Sequence, residues 1–310
     1  MEIAMIGDSV CTGVYISTPW NTFWRACRSR GGNWFIDPTP PPTGIQSVCH
    51  RLEQLTPVLA TEYAGIGACV DRQGERQNLF RRILRTRNFS GQIDQLLAAR
   101  RFADLILIAI GHNNVDWAWR RNRRELEQPN IILEQLSAQF RENFASNLRR
   151  LAERACAQHH PIAILVYGLI NFEAYFRGRA EAERRRAEDR RLYPHLETTY
   201  KYFASFRPIY RRYLIDLAQM VNEQLRSVVD DLNRQLRANP NVQLRYSEAL
   251  ATADLSRAEL LHPIDGWHAS IKGHNVLAEA AFADLGASLE FLGITKPTLC
   301  AHQPLDRART

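Results

Sequence analysis

Five short apolar runs punctuate the chain at wide intervals: Glu2–Ile6, Val58–Tyr63, Asp104–Ile110, Ile162–Ile170 and Val242–Tyr246. Each is too short and too apolar for a surface helix and is bounded by turn residues, so each reads as a strand. Between them lie segments with apolar residues at helical spacing, namely Gln92–Arg101, Ser137–Ala157, Pro208–Arg237 and Ile271–Phe291. In the second, Phe140, Phe144, Leu148 and Leu151 fall on one helix face. Strands alternating with helices are the pattern of βα units around a mostly parallel sheet, so the expected class is α/β. The proline-rich stretch Asp37–Gly44 can continue neither a helix nor a central strand and reads as a loop, because apolar pattern resumes on both sides. With no repeat of solenoid period, residues 1–310 read as a single domain.

A chain that is 45% hydrophobic and 24% charged has a globular composition, which excludes a disordered, collagen-like or disulfide-stapled protein. No apolar run approaches the roughly 18 residues of a membrane helix. The start of the chain has no basic segment followed by an apolar stretch of signal-peptide length, so a cytoplasmic protein is expected. The six cysteines form no CxxC pair or metal-ligand spacing, which fits reduced thiols and no structural metal. His159 and His160 have no acid or thiol at ligand spacing and read as partners of a helix end, and Asn88-Phe-Ser90 is a glycosylation sequon in form only.

Net charge is +7, and of 40 basic residues only Lys201, Lys272 and Lys296 are lysine. Such dominance of arginine fits either a compositional bias or an anionic partner, whose phosphates or carboxylates suit the guanidinium fork. The arginine and glutamate block Arg177–Arg191 reads as a solvated helix with mixed-sign pairs, a lid or a docking face. It lacks the aromatic interleaving of a single-strand binder, so nucleic acid is not an expected partner.

Four polar constellations stand where an open α/β sheet places ligands, at strand ends and before the last helix. The first strand runs into Gly7-Asp8-Ser9, where a serine can offer its hydroxyl to a cleft and its N–H to a developing oxyanion. The second leads to Gly65-Ile66-Gly67, with a glycine N–H aimed the same way. The third ends in Gly111-His112-Asn113-Asn114, where the Asn113 amide can donate to an oxyanion. Near the other end, His262-Pro-Ile-Asp265-Gly-Trp-His268 sets an acid and an imidazole three residues apart, close enough for the carboxylate to orient the ring. Singly, each also fits an ordinary turn or helix cap.

In this order the four blocks resemble those of the SGNH hydrolases, also called the GDSL esterase and lipase family. The resemblance implies Ser9 as nucleophile, His268 as general base and then acid, and Asp265 as the residue that orients the ring. It implies an oxyanion hole of the Ser9 N–H, the Gly67 N–H and the Asn113 side chain, with Gly65 as the other possible alignment. It also implies a three-layer α/β/α sandwich around a five-stranded parallel sheet of flavodoxin-like order, with a helical, arginine-rich insertion at about 171–237. Ester hydrolysis through an acyl-enzyme would then proceed without cofactor or metal.

One departure is Asn114, where the family usually has an aspartate that helps to orient the preceding asparagine. His274 matches a histidine often found there, with a structural role. Residues 115–161 and 171–241 match no motif. Thr18-Pro-Trp20 is similar to a stretch of acyloxyacyl hydrolases, which act on an anionic lipid, and Trp20, Phe23 and Trp24 fit either an acyl pocket or core. The expected partner is a small-molecule or lipid ester, an anionic one included, with peripheral membrane contact compatible. An acyltransferase using the same triad and a non-catalytic anion-binding or nucleic-acid-binding module remain alternatives.

Overall fold

The computed structural model describes residues 1–13, 32–37, 44–70, 87–121, 129–194, 196 and 208–294. Thr18, Trp20, Phe23 and Trp24 lie outside them, as does most of the proline-rich loop. Strands β1 (Glu2–Gly7), β2 (Leu59–Glu62), β3 (Leu105–Ala109), β4 (Ile162–Tyr167) and β5 (Val242–Ser247) form one sheet in the order β2-β1-β3-β4-β5. Every pairing is parallel. β3 and β4 are buried at every residue, as strands covered on both faces must be, whereas the edge strand β2 alternates between exposed and half-buried residues.

The helices are α1 (Val48–Glu53), α2 (Phe89–Leu97), α3 (His112–Arg121), α4 (Pro129–Cys156), α5 (Phe172–Glu188), α6 (Pro208–Leu236), α7 (Ala249–Thr252), α8 (Ile271–Ala283) and α9 (Gly286–Phe291). α2 packs on α4 and α4 on α6, while α1 packs on α8, so the sheet is the middle layer of a three-layer α/β/α sandwich. Phe144 of α4 stacks on Phe89 of α2 with ring centroids 5.3 Å apart, and Arg141 of α4 reaches Asp231 of α6 at 2.6 Å.

Several helix starts follow from local chemistry. Ser47, Asn88, Asn171 and Ser270 each accept a hydrogen bond from the N–H three residues on, which satisfies a donor that the first turn leaves open. Asn88, the residue of the formal sequon, is thus the N-cap of α2. The expected segment Ile271–Phe291 is two helices, because α8 closes at Asp284 and α9 begins at Gly286. Likewise α4 starts eight residues before the expected Ser137. His160 does have an acidic partner, Asp104, at 3.3 Å across the sheet edge, where a helix-end role was expected.

The block Arg177–Arg191 corrects a simple solvated reading. Most of it lies in α5, where Arg177–Glu173 and Arg185–Glu181 are indeed mixed-sign pairs one turn apart. Its inner face is core, however, with Gly178, Arg179 and Ala182 buried. A Cβ on Gly178 would lie 2.5 Å from the Leu255 carbonyl oxygen, so only glycine permits this approach.

Candidate active site

Because β1 lies between β2 and β3, the segments that leave these three strands meet at one edge of the sheet, and their residues meet with them. Gly7 ends β1 at a crowded point where a Cβ would lie 2.5 Å from Cys11 Sγ and 2.6 Å from the Ala109 carbonyl oxygen. Its N–H donates to Gln92 Oε1 and its carbonyl accepts from Gln92 Nε2, both at 2.9 Å, so a buried amide from α2 fixes the strand end. Ser9 then opens a single turn of 3-10 helix, buried to 7% exposure, and the Trp34 indole N–H ties the turn down by donating to the Val10 carbonyl at 3.0 Å.

Asp8, fully buried, does not face a reaction site. Its carboxylate accepts from the Val10, Gly111 and His112 backbone N–H groups, each at 3.1 Å, and from His112 Nδ1 at 3.0 Å. His112 Nε2 in turn accepts from the Ile170 N–H at 3.1 Å. Asp8 and His112 therefore bolt the ends of β1, β3 and β4 together, and the carboxylate neutralises the first N–H groups of α3. Neither role was read from sequence. No local signal marks a pair 104 residues apart.

After β2, the Ala68 N–H closes a turn on the Gly65 carbonyl at 3.1 Å, with Gly67 in its third position at φ +72°. The Gly65 N–H donates to the Gly7 carbonyl at 3.1 Å and is committed to holding β2 against β1. Among the described residues the Gly67 and Ser9 N–H groups donate to nothing. After β3, the Asn113 amide donates one hydrogen to the Ala68 carbonyl at 3.1 Å, which orients the side chain against the Gly67 turn. Asn114 Oδ1 accepts from the Val70 N–H at 2.8 Å. A neutral amide supplies the acceptor here, and Asn113 is anchored without a carboxylate beside it.

Asp265 and His268 are brought together. Their loop is pinned at its base by a bridge between Leu261 and Ala269 and by the His262 N–H donating to the His268 carbonyl at 2.7 Å. Asp265 Oδ2 lies 2.6 Å from His268 Nδ1, and Oδ1 accepts from the Trp267 and His268 N–H groups. Burial alone would raise this carboxyl. The charge and hydrogen bond of His268, the charge of His262 and the Trp267 N–H outweigh it and hold the pKa at about 2. The following helix is capped by Ser270, which leaves Asp265 for the imidazole.

The His268 ring, with Val10, Ile170, Phe172, Leu255 and Trp267, lines a cavity of about 20 Å³, room for one water-sized group. Val10 follows Ser9 directly, which sets the Ser9 turn beside this cavity, although no hydrogen bond within 3.5 Å joins Ser9 Oγ to His268. A groove of about 690 Å³ adjoins it and shares Ile170 and Phe172. His274, on the first turn of α8, is buried, and neither ring nitrogen has a hydrogen-bond partner. Burial, aided by the charges of His268 and His262, pushes its pKa down to about 3. No group of histidine, cysteine and carboxylate side chains suited to a metal occurs among the described residues. Nor is any helix there long and apolar enough to cross a membrane.

A parallel sheet with turns, amide donors and an Asp–His pair near its C-terminal edge defines an open α/β fold with a candidate site where that fold places ligands. The comparison with known families carries this further: residues 3–281 match GDSL-like lipase/acylhydrolase, and the chain belongs to that family. Ester hydrolysis is the general activity that membership carries. No curated protein matches. One solved structure is 15% identical with a TM-score of 0.50, covering 93% of this chain and 98% of its own. The chain is also similar to the lipase Lip_vut3 from a goat rumen metagenome, at 13% identity over 91% of this chain and 96% of that one, TM-score 0.48. A carbohydrate acetylesterase family member from Sinorhizobium meliloti is 12% identical over 94% of this chain and 100% of that one, TM-score 0.48.

Proposed function

We propose that the protein is a serine ester hydrolase that cleaves carboxylic esters through an acyl-enzyme on Ser9. The observation that carries this reading is the pair of buried Asp265 and half-buried His268, 2.6 Å apart, with His268 lining the cavity beside the Ser9 turn. His268 takes the Ser9 hydroxyl proton as the oxygen attacks the ester carbonyl, and Asp265 holds the ring and stabilises the imidazolium. The tetrahedral oxyanion accepts from the Ser9 N–H, the Gly67 N–H and the second amide hydrogen of Asn113. His268 then returns the proton to the leaving alcohol, and a water activated the same way releases the acid. Gly67, not Gly65, is the glycine of this reading, since the Gly65 N–H is spent on Gly7.

The two spaces divide the substrate. The cavity beside His268 takes the acyl group and suits a short one. The groove takes the alcohol part, and five carboxylates (Glu173, Glu223, Asp230, Asp231 and Glu248) line it against Arg226 and Arg234. Both arginines are already paired, with Glu248 and Asp231. This lining disfavours the anionic headgroup that the overall charge invites and favours a neutral polar alcohol such as a sugar hydroxyl.

The test is a fluorophosphonate probe together with p-nitrophenyl esters, applied to the parent and to Ser9→Ala. Labelling and turnover in the parent, with neither in the variant, is the expected result. A folded parent that does neither overturns the proposal.

A further inference from the structure

The loop that carries Asp265 and His268 is held from behind by a helix that shares no motif with it. Arg179, in the middle of α5, is fully buried, and its Nη1 donates to the Asp265 carbonyl at 2.8 Å and to the Gly266 carbonyl at 3.0 Å. The Tyr175 hydroxyl, one turn earlier, donates to the same Gly266 carbonyl at 3.2 Å. The Tyr175 ring also meets Trp267 edge-on with centroids 4.9 Å apart. Three consecutive residues, the acid Asp265 and the Gly266 and Trp267 that separate it from the base, are therefore gripped by two side chains of α5.

The grip is built rather than incidental. Gly266 sits at φ +56°, and a Cβ there would lie 2.9 Å from Leu196 Cδ1 and 3.1 Å from Arg179 Nη1. The loop thus turns in the left-handed region to bring its carbonyls onto the guanidinium. A buried guanidinium needs a counter-charge, and Glu183 supplies it, accepting from Arg179 Nε at 3.2 Å. Glu183 is held in turn by Arg211 of α6 at 3.0 Å. The chain of contacts runs from α6 through Glu183 and Arg179 to the backbone of the acid that orients His268. Arginine suits this position because its planar fork donates to carbonyls and carboxylate at once, which a lysine ammonium cannot do with the same reach.

We propose that Arg179, with Tyr175, is a positioning residue that fixes the Asp265–His268 pair from α5. The proposal rests on the triad reading above. It gives the helices of the stretch without motifs a purpose, since they brace the catalytic loop.

The test uses two variants that keep net charge, Arg179→Lys and Tyr175→Phe, so that a moved pH profile reports geometry and not a lost charge. Active sites are counted with the fluorophosphonate probe, and kcat, KM and the pH dependence of kcat/KM are measured on p-nitrophenyl acetate. In Tyr175→Phe the kcat per labelled site is expected to fall about 3- to 10-fold with KM unchanged. In Arg179→Lys it is expected to fall about 100-fold. A loosened Asp265 stabilises the imidazolium less, so the acidic limb of kcat/KM moves to lower pH in both, by about half a unit. Parent-like kcat and pH profile in Tyr175→Phe overturn the proposal, even where Arg179→Lys fails to fold. Activity lost only in proportion to labelled sites, with the profile unmoved, reduces the contact to a fold support and overturns it too. A parent that neither labels nor turns over removes the triad reading, and the proposal with it.

Discussion

His274 is the group in this fold whose burial translates most directly into a measurable cost. Its imidazole lies in the interior with both ring nitrogens unpartnered, and its pKa is pushed down to about 3 from the 6.5 of a free histidine. Because the folded-state value is the lower one, the unfolded chain binds a proton first as pH falls. Stability is therefore complete above about 6.5 and drains away as pH falls toward 3. Linkage through these two values gives a loss of about 2 kcal/mol between pH 7 and pH 5, and about 3 kcal/mol by pH 4. His274→Leu removes the titrating group at nearly equal volume and deletes two unsatisfied polar atoms. At pH 7 it should be worth less than about 1.5 kcal/mol in either direction. Urea unfolding of parent and variant at pH 7 and pH 5 isolates the effect, since His262, whose pKa burial also lowers, contributes equally to both. The parent should lose about 2 kcal/mol more than the variant on acidification. Equal losses would refute the reasoning, because they would mean that His274 is solvated or partnered in solution and titrates normally.

Other perturbations test the site itself. Asp265→Asn keeps an oxygen to accept from the Trp267 and His268 N–H groups, so the loop should hold while kcat falls about 10³- to 10⁴-fold, measured on p-nitrophenyl acetate against a thermal melt. Asn113→Ala should lower kcat about 10²- to 10³-fold with little change in KM, the signature of a donor used only in the transition state. Asn114→Asp retains the acceptor for the Val70 N–H and should leave stability within about 0.5 kcal/mol, whereas Asn114→Leu orphans that N–H and should cost about 1–3 kcal/mol by urea unfolding. Acetyl esters should be turned over at least about tenfold faster than octanoyl esters, given a cavity with room for one water-sized group; equal rates would place the acyl chain elsewhere.

What the sequence discloses and what it hides follow from the range of each interaction. Apolar runs such as Leu105–Ala109 and Ile162–Tyr167 are local signals, and they mark the strands to within a few residues. Asp265 and His268 are legible for the same reason, being three residues apart on one loop. The choice between Gly65 and Gly67 is not legible, because both are glycines beside the same strand. It turns on which N–H the Gly7 carbonyl takes, a contact far away in the chain. Arg179 is hidden more deeply. Within a run of arginines and glutamates, composition cannot say which side chain faces inward, and the carbonyls that select it lie 86 and 87 residues further on. Gln92 is equally silent, since a glutamine at the start of a helix reads as surface until the Gly7 peptide appears across 85 residues.

The two Asp–His pairs sharpen this point, because the same chemical couple occurs twice near the candidate site. In Asp8–His112 the carboxylate takes the Nδ1 proton, and the far nitrogen, Nε2, accepts the Ile170 N–H at 3.1 Å. With the carboxylate on one ring nitrogen and a backbone donor on the other, this ring serves as a clamp across three strand ends. In Asp265–His268 the carboxylate again holds Nδ1, within a loop whose own N–H groups it also accepts from, and His112 and His268 line one small cavity together. Proximity of acid and imidazole alone therefore identifies no base. On the triad reading the base is His268, and Asp8 of the Gly-Asp-Ser block serves to hold the serine's turn in place.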